Sequence, residues 1–187
     1  GDIEALPLAS GRFDLVVSSL ALQWCPDLER ALAELARVLA PGGLLLLSTF
    51  GPDTLRELRA AWAEADGARH THVNAFADLH EVGDLLLRLG LADPVTDAEW
   101  ITVRYGTVRA LMRDLKAIGA HNVTEGRPRG LTGRGRLAAV ERAYERLRDA
   151  DGKLPATFEV VYGHAWAPRA AGAAGVRVAP PGAGRGP

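Results

Sequence analysis

FDLVVSSLALQW, residues 13–24, is the stretch whose reading decides the fold. Phe13 to Val17 form a short apolar run, bounded by Gly11 before it and Ser18-Ser19 after it, and the pattern predicts a buried strand. Asp27 follows Pro26 at the position of a helix N-cap. Behind it Leu28, Ala31, Leu32, Leu35, Val38 and Leu39 recur at helical spacing and make one apolar face. Pro41-Gly42-Gly43 is expected to stop that helix, and Leu44 to Phe50 then reads as a near-continuous apolar strand. Such runs suit parallel strands covered on both faces. Strand, helix and strand in this order make a βαβ unit with a right-handed crossover.

Beyond this unit the pattern becomes more helical. Leu55, Leu58, Ala61, Trp62 and Ala65 share one face, and Leu79, Val82, Leu85, Leu86 and Leu89 share another that Gly90 ends. Glu99 to Tyr105 alternates and predicts a strand. Thr107 caps a helix carrying Val108, Leu111, Met112, Leu115 and Ile118, closed by Gly119. A further helix is expected over 135–149, with Leu137, Val140, Tyr144 and Leu147 aligned, and a last strand over Thr157 to Tyr162. No internal repeat is visible. The fold class is α/β.

Bulk composition narrows the function classes. The chain has 187 residues, 48% of them apolar and 24% charged, as in ordinary globular domains. A net charge of −1 gives no electrostatic reason to expect nucleic acid or an anionic membrane as partner. Cys25 is the single cysteine, so no internal disulfide or thiolate metal cluster can form. The longest apolar run, residues 44–47, falls far short of the about 20 residues a membrane span needs. Nothing at the start resembles a signal peptide, and a soluble protein of the cytoplasm is expected. From Arg169 the sequence is rich in Ala, Gly and Pro; residues 169–187 cannot offset their ordering entropy, which predicts a disordered tail.

Several residues are candidates for chemistry. In open parallel sheets, ligands bind at the carboxyl ends of the strands. Asp2 sits in GDIEALPL, where a preceding strand would just have ended. It reads either as an acceptor for the amino group of a nucleoside, with Ile3 covering the base, or as a turn aspartate followed by a core isoleucine. Ser18, Ser19 and Leu20 follow directly on the FDLVV strand, where hydroxyls and carbonyls can hold the polar tail of a ligand; an ordinary strand-to-helix loop looks the same. His70, His72 and His80 do not have the spacing of a zinc site. Cys25 has no evident His or Asp partner and reads as a small buried residue. GLTGRGR at 130–136 follows no predicted strand, so it is not a dinucleotide fingerprint. LMRDLKAIGAHN at 111–122 places Arg113 and Lys116 on neighbouring parts of one helix face, with His121 and Asn122 just beyond its glycine. That face either neutralises an acidic group or is simply solvated.

Together, GDIEALPL, FDLVVSSLALQW and RVLAPGGLLLLSTFG resemble the later segments of class I S-adenosylmethionine-dependent methyltransferases. FGPDTLRELRAAW, HVNAFADLHEVGD, LMRDLKAIGAHN, GLTGR and LPATFEVVYGHAW narrow the resemblance to the BioC-type malonyl-[acyl-carrier-protein] O-methyltransferases of biotin biosynthesis. It covers residues 1–168, with a helical substrate lobe over about 106–150.

The resemblance implies a Rossmann-like, seven-stranded and mostly parallel sheet with a reversed strand near its carboxyl end. Strands four to seven are expected in this chain and strands one to three are not. It further implies methylation of the free carboxylate of a malonyl thioester on acyl carrier protein, with S-adenosylmethionine as cofactor and no metal. By position, Asp2 and Ile3 correspond to the adenine contacts, and Ser18, Ser19 and Leu20 to the loop beside the methionine moiety. The malonyl carboxylate is already ionised at neutral pH, so no catalytic base is expected and positioning carries the reaction. Trp24 is the candidate apolar wall; Arg113, His121 and Asn122 are candidates for holding the carboxylate. The D-x-G-x-G loop of the family is absent from the sequence given, so this piece alone is expected to be inactive or nearly so. Two other readings remain open: a related small-molecule methyltransferase, and a non-catalytic binding module that lacks the cofactor loop.

Overall fold

A computed structural model describes residues 1–67, 73–120 and 133–169. The chain runs β1 (Phe13–Ser19), α1 (Leu28–Val38), β2 (Leu39–Phe50), α2 (Arg56–Asp66), α3 (Leu79–Arg88), β3 (Ala92–Tyr105), α4 (Val108–Ala117), α5 (Arg134–Glu145) and β4 (Leu154–Trp166), with a short 3₁₀ turn at Leu22–Trp24. The sheet order is β1-β2-β4-β3. β1 and β2 are parallel, with Val17 opposite Leu46, which completes the βαβ unit. β4 is antiparallel to both neighbours, Gly163 lying opposite Leu47 and Val161 opposite Ala98. The last strand therefore inserts between two earlier ones in reverse, as the resemblance implies for a strand near the carboxyl end.

The helix boundaries follow from their caps. The Asp27 carboxylate accepts from the Arg30 N–H at 2.9 Å and Thr107 Oγ1 from the Ala110 N–H at 3.2 Å. Asp78 caps α3 in the same way, accepting from the Glu81 N–H at 2.7 Å. Each satisfies one of the amide donors that a helix start leaves without a partner. Gly90 and Gly119, both at φ 75, follow α3 and α4 in the left-handed conformation that glycine adopts freely.

Two apolar cores result. In the first, Leu32 and Leu35 of α1 and Val82 and Leu86 of α3 pack on Leu45, Leu47, Val161 and Ala165 of one sheet face. In the second, α2, α4 and α5 bring Leu58, Leu111, Val140 and Tyr144 onto Leu154 and Ala156 of β4.

Two sequence expectations are corrected. β1 is not a buried strand: Leu15 is 52% and Val17 62% exposed. Side chains alternate along a strand, so Val16 and Ser18 face the first core while Leu15 and Val17 face the other way. No described helix covers them there, and β1 is the edge of the described sheet. Nor does Pro41-Gly42-Gly43 stop the helix. α1 ends at Val38, and β2 begins at Leu39 and runs through the triplet. The register jumps from Phe13–Leu39 to Leu15–Leu44, so the triplet forms a bulge. Gly42 takes φ 79, and a Cβ on Gly43 would come 2.8 Å from the Phe13 carbonyl oxygen.

The remaining boundaries differ by length. α5 ends at Glu145 rather than 149, leaving Leu147 exposed beyond it. β3 and β4 are longer than the segments predicted for them, because each is extended by the ladder it shares with the other.

Candidate functional site

The carboxyl ends of β1 and β2 carry two loops, and a cavity of about 230 Å³ opens between them and the helical lobe. Its walls include Leu20 and Trp24 after β1, Phe50 and Leu55 at the end of β2, Phe76, and Leu115 of α4. Phe50 meets Phe76 edge-on at 5.8 Å between centroids and Phe158 of β4 at 5.9 Å, so three aromatic rings from distant segments form one surface. Gln23, Thr54 and Asn74 supply its polar groups; no charged side chain lines it among the described residues.

The loop after β1 is tightly fixed. Leu20 adopts a left-handed φ of 46, held by its N–H donating to Ser48 O at 3.0 Å and to Ser48 Oγ at 3.2 Å. The Gln23 amide nitrogen donates to Leu20 O at 2.5 Å. Ser18 Oγ and Gln23 Oε1 are buried without a hydrogen-bond partner among the described residues. Buried polar atoms seldom remain unpaired; Ser18 faces the first core, whereas Gln23 lines the cavity, so its Oε1 marks a place where a ligand can bond.

The predicted site residues fall into three groups. Leu20 and Trp24 line the cavity, and Ser18 and Ser19 lead into it at the end of β1. Asp2 and Ile3 lie apart from it: Asp2 Oδ1 accepts from the Glu4 N–H at 2.9 Å, and Ile3 packs against the first core. That geometry agrees with a turn aspartate and leaves its exposed carboxylate free to meet solvent or ligand. Arg113 is exposed on α4 and does not line the cavity, although its helix does through Leu115 and Ile118. His121 and Asn122 lie outside the described residues, as do His70 and His72 and everything after Arg169. Ala120, the last described residue before them, lines the cavity.

Burial, with Glu4 and Asp2 nearby, pushes the Cys25 thiol up from its ordinary value. It is held as the weakly nucleophilic thiol, in keeping with a packing role. No group of three or more His, Cys, Asp or Glu side chains is arranged to hold a metal among the described residues. No described helix is long and apolar enough to cross a membrane.

Residues that sequence reasoning missed come from far along the chain. Phe50, Phe76 and Phe158 signal only core packing in sequence, and Leu55 only a helix start. Their convergence depends on β4 pairing with β2 across more than a hundred positions, which no local pattern shows.

Residues 1–47 match a family model described as a methyltransferase domain. A crystal structure of a Bacillus halodurans protein described as a methyltransferase superposes with a TM-score of 0.58 at 18% identity, covering 90% of this chain and 70% of that one. The YcgJ protein of Bacillus subtilis gives 0.56 at 16% identity, covering 91% and 70%. The fold is thus that of a class I methyltransferase, with four strands of its sheet among the described residues.

Curated relatives narrow the class. The malonyl-[acyl-carrier protein] O-methyltransferase of Laribacter hongkongensis is 60% identical over 169 residues, 90% of this chain and 56% of that protein. Its counterpart in Methylovorus is 56% identical with the same coverage. The biotin biosynthesis bifunctional protein of Saccharophagus degradans is 48% identical over 85% of this chain and 29% of its own length. The chain is similar to malonyl-[acyl-carrier protein] O-methyltransferases over about nine-tenths of its length, and it spans a little over half the length of the first two.

Proposed function

We propose that the protein carrying this chain transfers a methyl group to the free carboxylate of a malonyl thioester on acyl carrier protein, an early step toward biotin. The observation that supports this reading is the apolar cavity at the carboxyl ends of β1 and β2, in a chain 60% identical to an enzyme of that name. With a carrier-protein substrate, the reaction belongs in the cytoplasm.

The residues present fit S-adenosylmethionine in one specific respect: the buried Gln23 Oε1, in the loop after β1, lines the cavity and has no partner among the described residues. Ser18, Ser19 and Leu20 would hold it, with Asp2 and Ile3 toward the base. When bound, the cofactor supplies a methyl group on a positively charged sulfur. The chain's own task is then positioning. Trp24, Phe50 and Phe76 wall off water around the malonyl group. Arg113 on α4, and His121 and Asn122 after that helix in sequence, are the residues assigned to orient the carboxylate. A carboxylate ionised at neutral pH needs no base to remove a proton, so none of these residues is assigned that role.

The test uses a protein of the relatives' length that contains this chain. Incubated with S-adenosylmethionine and malonyl-acyl carrier protein, it should yield a product heavier by one methyl group in mass spectrometry. Malonyl-coenzyme A run in parallel reports whether the carrier protein itself is read. Methylation of a different acceptor, with none on either malonyl thioester, overturns the substrate in favour of a related small-molecule methyltransferase.

A further inference from the structure

Three non-glycine residues among those described have positive φ: Leu20 at 46, Leu55 at 56 and Asp93 at 49. Two of the three, both leucines, line the same cavity. A branched apolar side chain gains nothing locally from the left-handed conformation, which persists only where its surroundings enforce it. For Leu20 the enforcing group is Ser48, as described above. For Leu55 it lies on β4, and an acidic residue stands at its centre.

Glu159 is a carboxylate residue only 5% exposed, on a strand with β2 on one side and β3 on the other. Its Oε2 accepts from the Asp53 N–H at 2.7 Å. Its backbone holds the next residue as well: Thr54 Oγ1 donates to Glu159 O at 3.0 Å and accepts from the Glu159 N–H at 3.1 Å. Leu55 then donates its N–H to Thr157 O at 2.6 Å. The sheet register sets Trp100 opposite Glu159, and the Trp100 indole N–H donates to Asp53 Oδ2 at 3.1 Å. Asp53 is thus gripped from both strands. Gly51 completes the arrangement, because a Cβ there would stand 2.6 Å from Glu159 Oε2 and 2.7 Å from its Cγ.

Glu159 does not line the cavity, and neither does Asp53, which its carboxylate holds; Thr54, which its backbone holds, does, and so do Leu55 and Leu58 further along the chain. Burying a carboxylate is costly unless its bonds are made, and here it bonds the loop between β2 and α2. We propose that Glu159 is a positioning residue for the substrate cavity, fixing the Thr54–Leu55 wall through Asp53 against the strain of the Leu55 backbone. This rests on the reading of the cavity as the site of the acyl group.

The experiment compares Glu159→Ala, Glu159→Gln and Gly51→Ala in a protein of the relatives' length. The KM for malonyl-acyl carrier protein should rise about tenfold in Glu159→Ala while kcat falls much less, the pattern of a displaced binding wall. Affinity for S-adenosylhomocysteine, measured by calorimetry, should stay at the wild-type value, because its residues lie at the end of β1. Glu159→Gln should restore most of the KM, since the amide oxygen still accepts from Asp53. Gly51→Ala should reproduce the KM effect by pushing the side chain aside, and adding it to Glu159→Ala should change little more. A parallel loss of kcat and cofactor affinity in Glu159→Ala, or an unchanged KM, overturns the proposal. A wild-type protein that methylates no malonyl thioester defeats the functional reading instead. Positioning is then decided by amide hydrogen exchange: faster exchange at Asp53 and Leu55 in Glu159→Ala supports it, and wild-type rates refute it.

Discussion

The two cores of this chain are built differently. The first, between α1, α3 and one face of the sheet, is held mainly by apolar contact: Leu32, Leu45, Leu86 and Val161 lie fully buried, and the Arg88–Glu29 pair between its helices is exposed. The second, between α2, α5 and the start of β4, is laced with hydrogen bonds. Tyr144 OH donates to Pro155 O at 2.8 Å, Glu57 accepts from both the N–H and the hydroxyl of Thr157, and Glu159 holds Asp53. Apolar contact is non-directional and supplies free energy in proportion to area. Hydrogen bonds to buried groups add little net energy and fix geometry, since misplacing either partner leaves the other unpaired. The first core therefore holds the sheet together, while the second sets where the cavity wall stands.

That division predicts the largest stability losses in the first core. Leu45→Ala removes a side chain with no exposed area between two helices and a sheet, and it should cost about 2–5 kcal/mol in urea unfolding. Tyr144→Phe keeps the ring and removes only the hydroxyl, leaving the Pro155 carbonyl without its donor. Burial already pushes the Tyr144 phenol well above its ordinary value, so the lost group is a neutral donor, and about 1–3 kcal/mol is expected. If Tyr144→Phe proved the larger of the two, the second core would be the structural centre and the contrast would fail.

These features were unequally legible in the amino-acid sequence. The helices of the first core announce themselves, because Asp27 and the Leu28-to-Val38 spacing report local geometry that no later contact alters. FDLVV announces a strand equally well, but its apolar character says that it is to be covered, not by what. Leu15 and Val17 keep that character while facing away from every described helix. Pro41-Gly42-Gly43 misleads for a related reason: the triplet that usually ends a helix here makes a bulge, which exists only because β1 pairs alongside. Of the cavity, Leu20 and Trp24 were within reach because they follow a strand end. Glu159 was not, since in TFEVVY it is one charged residue in a short strand, and its partner Asp53 lies 106 positions earlier.

Smaller effects sharpen the contrast within the first half of the chain. Asp27→Ala removes the cap of α1 and should cost about 1 kcal/mol, with Asp27→Asn close to wild type because the amide oxygen also caps. Leu15→Lys, two residues before Val17 on the exposed side of β1, should change unfolding free energy by no more than about 0.5 kcal/mol in this chain. It should also reduce self-association in sedimentation, because a charge on an open edge opposes strand pairing between copies. A loss comparable to that of Leu45→Ala would show that the outer face of β1 is covered in solution.

The smallest effect concerns what anchors the segment leading into β1. Arg37 of α1 donates to Leu8 O at 2.9 Å, Leu6 O at 3.1 Å and Ser10 Oγ at 3.0 Å, and its guanidinium is fixed by Glu34, at 2.6 Å from Nε. Glu34 also accepts from the Leu6 N–H at 2.8 Å. The hydrogen bond from Arg37 is the main cause that pulls the Glu34 carboxyl from 4.5 down to about 2. A carboxyl depressed in the folded state favours folding at pH above its unfolded value, and that contribution fades as pH falls from about 4.5 toward about 2. The pair is near the surface, so the gain is small and should weaken with salt. Wild type and Glu34→Gln should therefore differ in stability at neutral pH and converge through that acid window. A difference that stays constant down to pH about 2 would mean that the Glu34 charge contributes nothing. The 6–10 segment would then be held by the Arg37 bonds to its carbonyls alone, and the approach to β1 would be fixed by geometry in the way the second core is.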